Sequence, residues 1–322
     1  MVRIETGDQE EITLSMLLTF TFMNTPFSRI LILGYLVCMF VSCKKQSSNI
    51  PEIDQKIFSQ YWEQGKGEVS SYVLDQARYG AQHDGSVVLL FSTEDMSKSN
   101  QVRLDDPKRN SGDAVKVLKL NTNKEFVTGV YKYSMMSSVF TPVDYDDHPR
   151  SLKFTASCQD WNGQSYTQFN WKGNRYEVQQ LSYVESEGDK SFSLVSTWLE
   201  DEIWTMIRVA PNTLPIGGVT MIPSAIYSHL SHNSIKAYDA VASLKSESEE
   251  YIYTIQYPEI KRTLEINFQK IFPYKIMGWK ETYGNNEVTT ARISNTIMSD
   301  YWNHNQPQDS VIREELLLKS PL

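Results

Sequence analysis

Residues 152–184 read LKFTASCQDWNGQSYTQFNWKGNRYEVQQLSYV, and this stretch decides the fold class. Asn162-Gly163 and Lys172-Gly173-Asn174 divide it into three short runs rich in Val, Thr, Tyr and Phe. An Asn-Gly pair between strand-like runs is a strong hairpin signal, because both residues accept the left-handed backbone of a tight turn. In the third run Arg175, Glu177 and Gln179 are polar, while Tyr176 and Val178 between them are apolar. That period of two marks a strand with one face buried and one face wet. Strands joined by such short turns must be antiparallel, since a parallel crossover needs about a dozen residues or more.

The same pattern extends outward. Phe192–Trp198 and Ile203–Val209 read as further strands, with turns at Glu187-Gly188-Asp189 and Glu200-Asp201, so Leu152–Val209 is expected to be one meander. A second meander is expected over Tyr251–Thr296, where Leu264, Ile266 and Phe268 alternate with Thr263, Glu265 and Asn267. Upstream, Glu68–Tyr79, Ser86–Ser92, Ala114–Leu120 and Phe126–Ser138 are strand-like, and residues 93–113 read as a polar loop. Met221–Leu230 is the expected central helix, entered at Pro223-Ser224, and Ile53–Tyr61 a brief one. Gly217-Gly218 lacks the lysine of a phosphate loop and reads as a turn. The expected fold is mainly β, a large curved antiparallel sheet or partly closed barrel with one or two short helices. A flat sheet of about a dozen strands would have to curl, close or split.

The N-terminus carries a different message. Arg29 is followed by an apolar run from Ile30 to Val41, then Ser42, Cys43, Lys44 and Lys45. The run is shorter than the roughly 20 residues of a bilayer span and has the length of a signal-peptide core. Phe40-Val41-Ser42-Cys43 resembles the lipobox of bacterial lipoproteins, in which the Cys receives the lipid, although Phe40 stands where Leu is usual. Residues 1–22 contain Glu5, Asp8, Glu10 and Glu11, against the positive start of a signal, and Met23 follows them. The expected organisation is a start-site extension at 1–22, a signal at 23–42 and a tether at 43–51. A single β-rich domain at 52–302 and a C-terminal tail at 303–322 complete it.

Composition narrows the function classes. The 322 residues carry 31 Lys and Arg against 39 Asp and Glu, a net charge of −8. Residues 1–42 hold two of those basic and four of those acidic residues, so a chain starting at Cys43 has a net charge of −6. No basic stripe offers itself to a phosphate backbone, and nucleic acid is not an expected partner. Cys38 would leave with the signal and Cys43 would become a thioether. Cys158 alone would remain, without a disulfide partner.

Gly67–Gly80 (GEVSSYVLDQARYG), Tyr131–Pro142 (YKYSMMSSVFTP), the Trp161–Asn170 hairpin and Ile271–Tyr283 (IFPYKIMGWKETY) resemble a group of uncharacterised Bacteroidota envelope lipoproteins. Their genes often carry the label "septum formation inhibitor Maf". True Maf nucleotide pyrophosphatases are cytoplasmic α/β enzymes with a Ser-x-Ser-Pro-Arg-Arg signature, which this chain lacks. The resemblance therefore implies a compartment and no activity. It implies an outer-membrane protein, lipid-anchored at Cys43 and facing the periplasm, since Lys44-Lys45-Gln46-Ser47-Ser48 lacks an acidic export cluster.

Several constellations invite chemistry. Asp144, Asp146, Asp147 and His148 gather three carboxylates and an imidazole, a donor set for a hard cation, but without the glycine turn and distal Glu of a calcium loop. His229 and His232 would share a helix face without further ligands. Asp160 beside Trp161 reads as turn chemistry, and no Gly-x-Ser-x-Gly elbow occurs. No cofactor is expected. The chain is rich in rings, with 7 Trp, 18 Tyr and 13 Phe. Tyr131, Tyr133, Trp171, Trp204 and Trp279 are the candidates for lining an apolar concavity, as in curved sheets of the lipoprotein-carrier type. The expectation is non-enzymatic binding of an apolar ligand or envelope protein. The alternative is an envelope hydrolase whose acids meet only in three dimensions.

Overall fold

A computed structural model describes residues 46–318, except 110 and 186. Cys43 and the signal at 23–42 lie outside the described residues. The strands are β1 (Gln46–Ser47), β2 (Gly67–Arg78), β3 (Ala81–Ser97), β4 (Ala114–Thr128), β5 (Tyr131–Pro142), β6 (Lys153–Asp160), β7 (Gly163–Trp171), β8 (Arg175–Ser182), β9 (Lys190–Val195), β10 (Trp198–Leu199), β11 (Pro215–Ile222), β12 (Tyr238–Ser246), β13 (Glu250–Tyr257), β14 (Arg262–Gln269), β15 (Ile276–Thr282) and β16 (Val288–Ser299). Among the described residues four short α-helices accompany them: α1 (Gln55–Trp62), α2 (Glu200–Val209), α3 (Ala225–Ser231) and α4 (Val311–Glu315).

The protein is mainly β, as the alternation requires. One large open sheet runs β11-β12-β13-β14-β15-β16-β2-β3-β4-β5-β6-β7-β8-β9, each strand antiparallel to its neighbour. β10 pairs in parallel with β11. The two expected meanders lie in the sheet as β6–β9 and β13–β16, and Asp160 pairs with Gly163 across the two-residue turn at Trp161-Asn162. Asp160 Oδ1 accepts from the Asn162 and Gly163 amides, so its carboxylate makes the turn.

Side-chain contacts prove the curvature. Tyr227 of α3 lies over the Arg262 guanidinium of β14, while His229, two residues on, bonds Ser165 of β7 at 3.0 Å. β14 and β7 are eight strand spacings apart, about 38 Å if the sheet were flat. Only a sheet curled around α2 and α3 brings both to one short helix. Glycine permits close approach where the strands bend: a Cβ on Gly85 would meet the Glu125 carbonyl at 2.4 Å, and one on Gly278 the Ala291 carbonyl at 2.4 Å.

The main core fills the concave side. α1 is capped by Asp54, whose Oδ1 accepts from the Lys56 and Ile57 amides, and its Phe58 and Trp62 face inward. On the other face of the sheet Leu316, just after α4, covers Val69 and Leu90.

Several expectations need correction. Ile203–Val209, read as a strand, is helix α2, and Glu200-Asp201 is its first turn rather than a loop. Three acids in that first turn and Arg208 in the last complement the helix dipole. Met221 and Ile222 belong to β11, so the expected central helix begins only at Ala225. Gly217-Gly218 lies within β11, with Gly217 at φ +90. Finally, β3 runs on to Ser97, which shortens the expected polar loop.

Candidate functional site

The concave side is packed at one end and hollow at the other. At the packed end Arg208, the last-turn cation of α2, reaches Glu68 of β2 with two bonds of 2.8 and 2.7 Å, and both side chains are fully buried. Arg208 Nε donates to the Pro273 carbonyl at 2.7 Å, and its guanidinium lies over Trp62 and Phe91. Tyr61 donates its hydroxyl to Glu68. Burial disfavours the Glu68 carboxylate, but Arg208 outweighs it and holds the pKa below the usual range.

At the other end a cavity of about 320 Å³ opens between α2, α3 and the middle of the sheet. Its apolar wall comes from inward positions at period two: Val87 and Leu89 of β3, Leu120 of β4, Val139 of β5 and Leu264 of β14. Trp204 of α2 and Trp279 of β15 meet edge to face, 5.1 Å apart, and Ile226 and Leu230 of α3 complete this side.

Charged side chains line the same cavity. Arg262, 2% exposed, bonds Glu200 through both terminal nitrogens and Glu281 Oε2 at 2.9 and 3.2 Å. Tyr257 donates to Glu200 at 2.8 Å and Tyr283 to Glu281 at 3.1 Å. The Tyr227 and Tyr283 rings stack, and Tyr227 also covers Arg262. Burial opposes the charge on Glu281, yet Arg262 and then Lys124 overcome it and keep this carboxyl below its ordinary range.

Two further groups are less well matched. Asp201 accepts from the Ala225 amide at 3.3 Å, at the start of α3. Burial, and then the adjacent Glu200 carboxylate, push its pKa up to about 7. Lys124 of β4 is 6% exposed and lines the cavity. Burial pulls its ammonium below the ordinary lysine range, with Glu281 opposing. It makes no hydrogen bond or ion pair among the described residues. At the rim, Arg78 donates to the Leu230 carbonyl and lies over the rings of Tyr79 and Tyr133.

Two of the five aromatic candidates, Trp204 and Trp279, belong to this cavity. The others do not line it. Tyr133 is core, stacked on Phe126 at 4.6 Å, and reaches the rim only through its hydroxyl on Tyr79, at 2.9 Å. Tyr131 packs beside Trp161, and Trp171 bonds Ser196 through Nε1 at 3.1 Å. Asp144, Asp146 and Asp147 are exposed in the loop after β5, where Asp144 accepts from the Asp147 and His148 amides. Among the described residues no group of three or more His, Cys, Asp or Glu is placed to hold a metal ion, Asp144, Asp146, Asp147 and His148 included. His229 and His232 turn to separate partners, Ser165 and Glu187. Cys158 is buried, and its thiol is pushed up to about 12 by that burial.

The polar lining, namely Lys124, Glu200, Asp201, Arg262 and Glu281, is the part that sequence reading missed. A signal for it exists. Arg262 continues the inward series Leu264, Ile266, Phe268 by one step, and Lys124 sits between Leu120 and Phe126 on the inward face of β4. A charge in register with a buried series is a marker of a lined cavity. No protein-family model matches the sequence, and no curated protein is similar to it.

Proposed function

We propose that the protein is a cell-envelope lipoprotein that binds an apolar-tailed ligand in the hollow end of its curved sheet. The lipobox-like Val41-Ser42-Cys43 supports anchoring through Cys43, the resemblance to envelope lipoproteins supports the outer membrane, and Lys44-Lys45-Gln46-Ser47-Ser48, without an acidic cluster, supports the periplasmic face. The observation that carries the binding reading is the cavity of about 320 Å³ with an aliphatic and tryptophan wall. That volume sits at the lower end of the roughly 300–1,000 Å³ of small-molecule sites. The test is titration of the purified protein with a lipophilic fluorescent dye. Saturable binding that Trp204→Ala abolishes supports the reading, and a protein that binds no dye refutes it.

Asp201 favours a second reading, an envelope hydrolase. A carboxyl with its pKa near 7 in a cavity is poised to give or take a proton. Glu200 and Glu281, however, are already engaged by Arg262 and tyrosine hydroxyls, which leaves Asp201 without a free carboxylate partner. Ester or glycoside turnover that disappears in Asp201→Asn, with dye binding retained, would establish the enzyme. Equal turnover by both proteins would dismiss it.

A further inference from the structure

Lys124 is a cavity-lining cation without a hydrogen bond or ion pair among the described residues, and Gln76 Oε1 and Arg78 Nε in the same lining also lack a partner. Its directly paired cross-strand neighbours, Val87 on β3 and Met135 on β5, are both buried and apolar, so neither paired position offers an acceptor. Arg262 lies inside the same wall but is saturated by Glu200 and Glu281. An ammonium carries three donors, and here none of them has a protein acceptor among the described residues. The apolar wall of Leu89, Leu120 and Val139 shares the cavity with this ammonium. We propose that the ligand is a single-chain amphiphile with an anionic head, a carboxylate or phosphate that Lys124 binds while the aliphatic and tryptophan wall takes the chain.

This rests on the cavity-binding reading and narrows it. The half-protonated state of Asp201 near neutral pH supports it, since a neutral Asp201 spares the head a repelling charge. Arg78 adds a further cation to the lining of the same cavity. The small volume favours one chain over a two-chain lipid.

The experiment titrates the full chain, below micelle concentrations, with laurate, dodecyl phosphate and dodecanol in competition with the lipophilic dye. At least one anion should bind roughly ten- to hundredfold more tightly than dodecanol, the worth of a buried charge-assisted bond. Comparing laurate with dodecyl phosphate tells which head the site takes. Lys124→Met should bring the anions to the level of dodecanol and leave dodecanol unchanged. If dodecanol and both anions bind equally to the native protein, the anionic-head proposal fails while the cavity reading stands. If neither dye nor any of the three binds, the cavity reading itself falls. A preference for anions that survives Lys124→Met also overturns the proposal and leaves Lys124 as a counter-charge to Glu281. Should Lys124→Met not fold, the native protein labelled with ¹³Cε-lysine decides. The Lys124 resonance should move with the preferred anion and stay fixed with dodecanol, and a resonance unmoved by both refutes the assignment.

Discussion

The two ends of α2 carry the same chemistry in opposite settings. At its C-terminal end one guanidinium meets one carboxylate, Arg208 with Glu68, in a packed site closed by Trp62, Phe91 and Tyr61. At its N-terminal end one guanidinium, Arg262, is shared by two carboxylates, and a third acid and a loose lysine stand around a void. A matched buried pair in a filled site leaves neither group in want of a partner. A mismatched group beside a cavity keeps interactions unspent for something that enters. The difference separates scaffold from site within one ten-residue helix.

The largest test of this contrast is Arg208→Met. Removing one partner of a fully buried pair strands the Glu68 carboxylate, and urea unfolding should show a loss of about 3–5 kcal/mol. Adding Glu68→Gln should return much of it. Arg262→Met should cost less, about 2–3 kcal/mol, because Lys124 and water in the cavity relieve Glu200 and Glu281. Equal losses at the two ends would erase the distinction.

Tryptophan substitutions sharpen it. Trp62, with no exposure, should lose about 3–5 kcal/mol on conversion to Ala. Trp204 faces the void on one side and should lose about half as much, while dye binding disappears.

The smallest effect is one of pH. Asp201 has a folded pKa near 7, above its unfolded value of about 4. The folded state therefore holds the proton more tightly, so stability falls as pH rises from about 4 towards 7 and then levels off. Melting temperatures measured between pH 5 and 8 should show this slope, and Asp201→Asn should flatten it.

How much of this could be read beforehand differs between the two ends as well. The alternation of Leu264, Ile266 and Phe268, with the Asn162-Gly163 signal, one residue past the turn that forms at Trp161-Asn162, was enough for an antiparallel curved sheet, because period-two burial is visible in sequence. α2 was not legible. Eight of its ten residues are buried, so it lacks the polar stripe that betrays an ordinary surface helix. Ile203, Trp204, Thr205, Ile207 and Val209 also favour strands when taken alone. Trp204 and Trp279 were legible as ring candidates. Their meeting was not, because it depends on α2 crossing the concave face. Lys124 and Arg262 escaped notice because a charge in a strand is ordinarily taken for the wet face.

The strand order has a consequence for how the molecule comes into being. β2–β9 and β11–β16 form two blocks, and in the sheet they are joined where β16 lies on β2, from Thr290 opposite Asp75 to Ser299 opposite Gly67. Those partners are separated along the chain by 215 residues at one end and 232 at the other, the differences 290 − 75 and 299 − 67. Val87, Leu89 and Lys124 belong to one block, and Arg262, Leu264 and Trp279 to the other. Each block is a string of local hairpins able to form early, whereas the seam between them closes a long loop and forms slowly. During synthesis the nascent chain thus carries the two walls of its pocket unjoined until its last long strand emerges, and a truncation before residue 288 leaves β2 and β15 without the strand that lies between them.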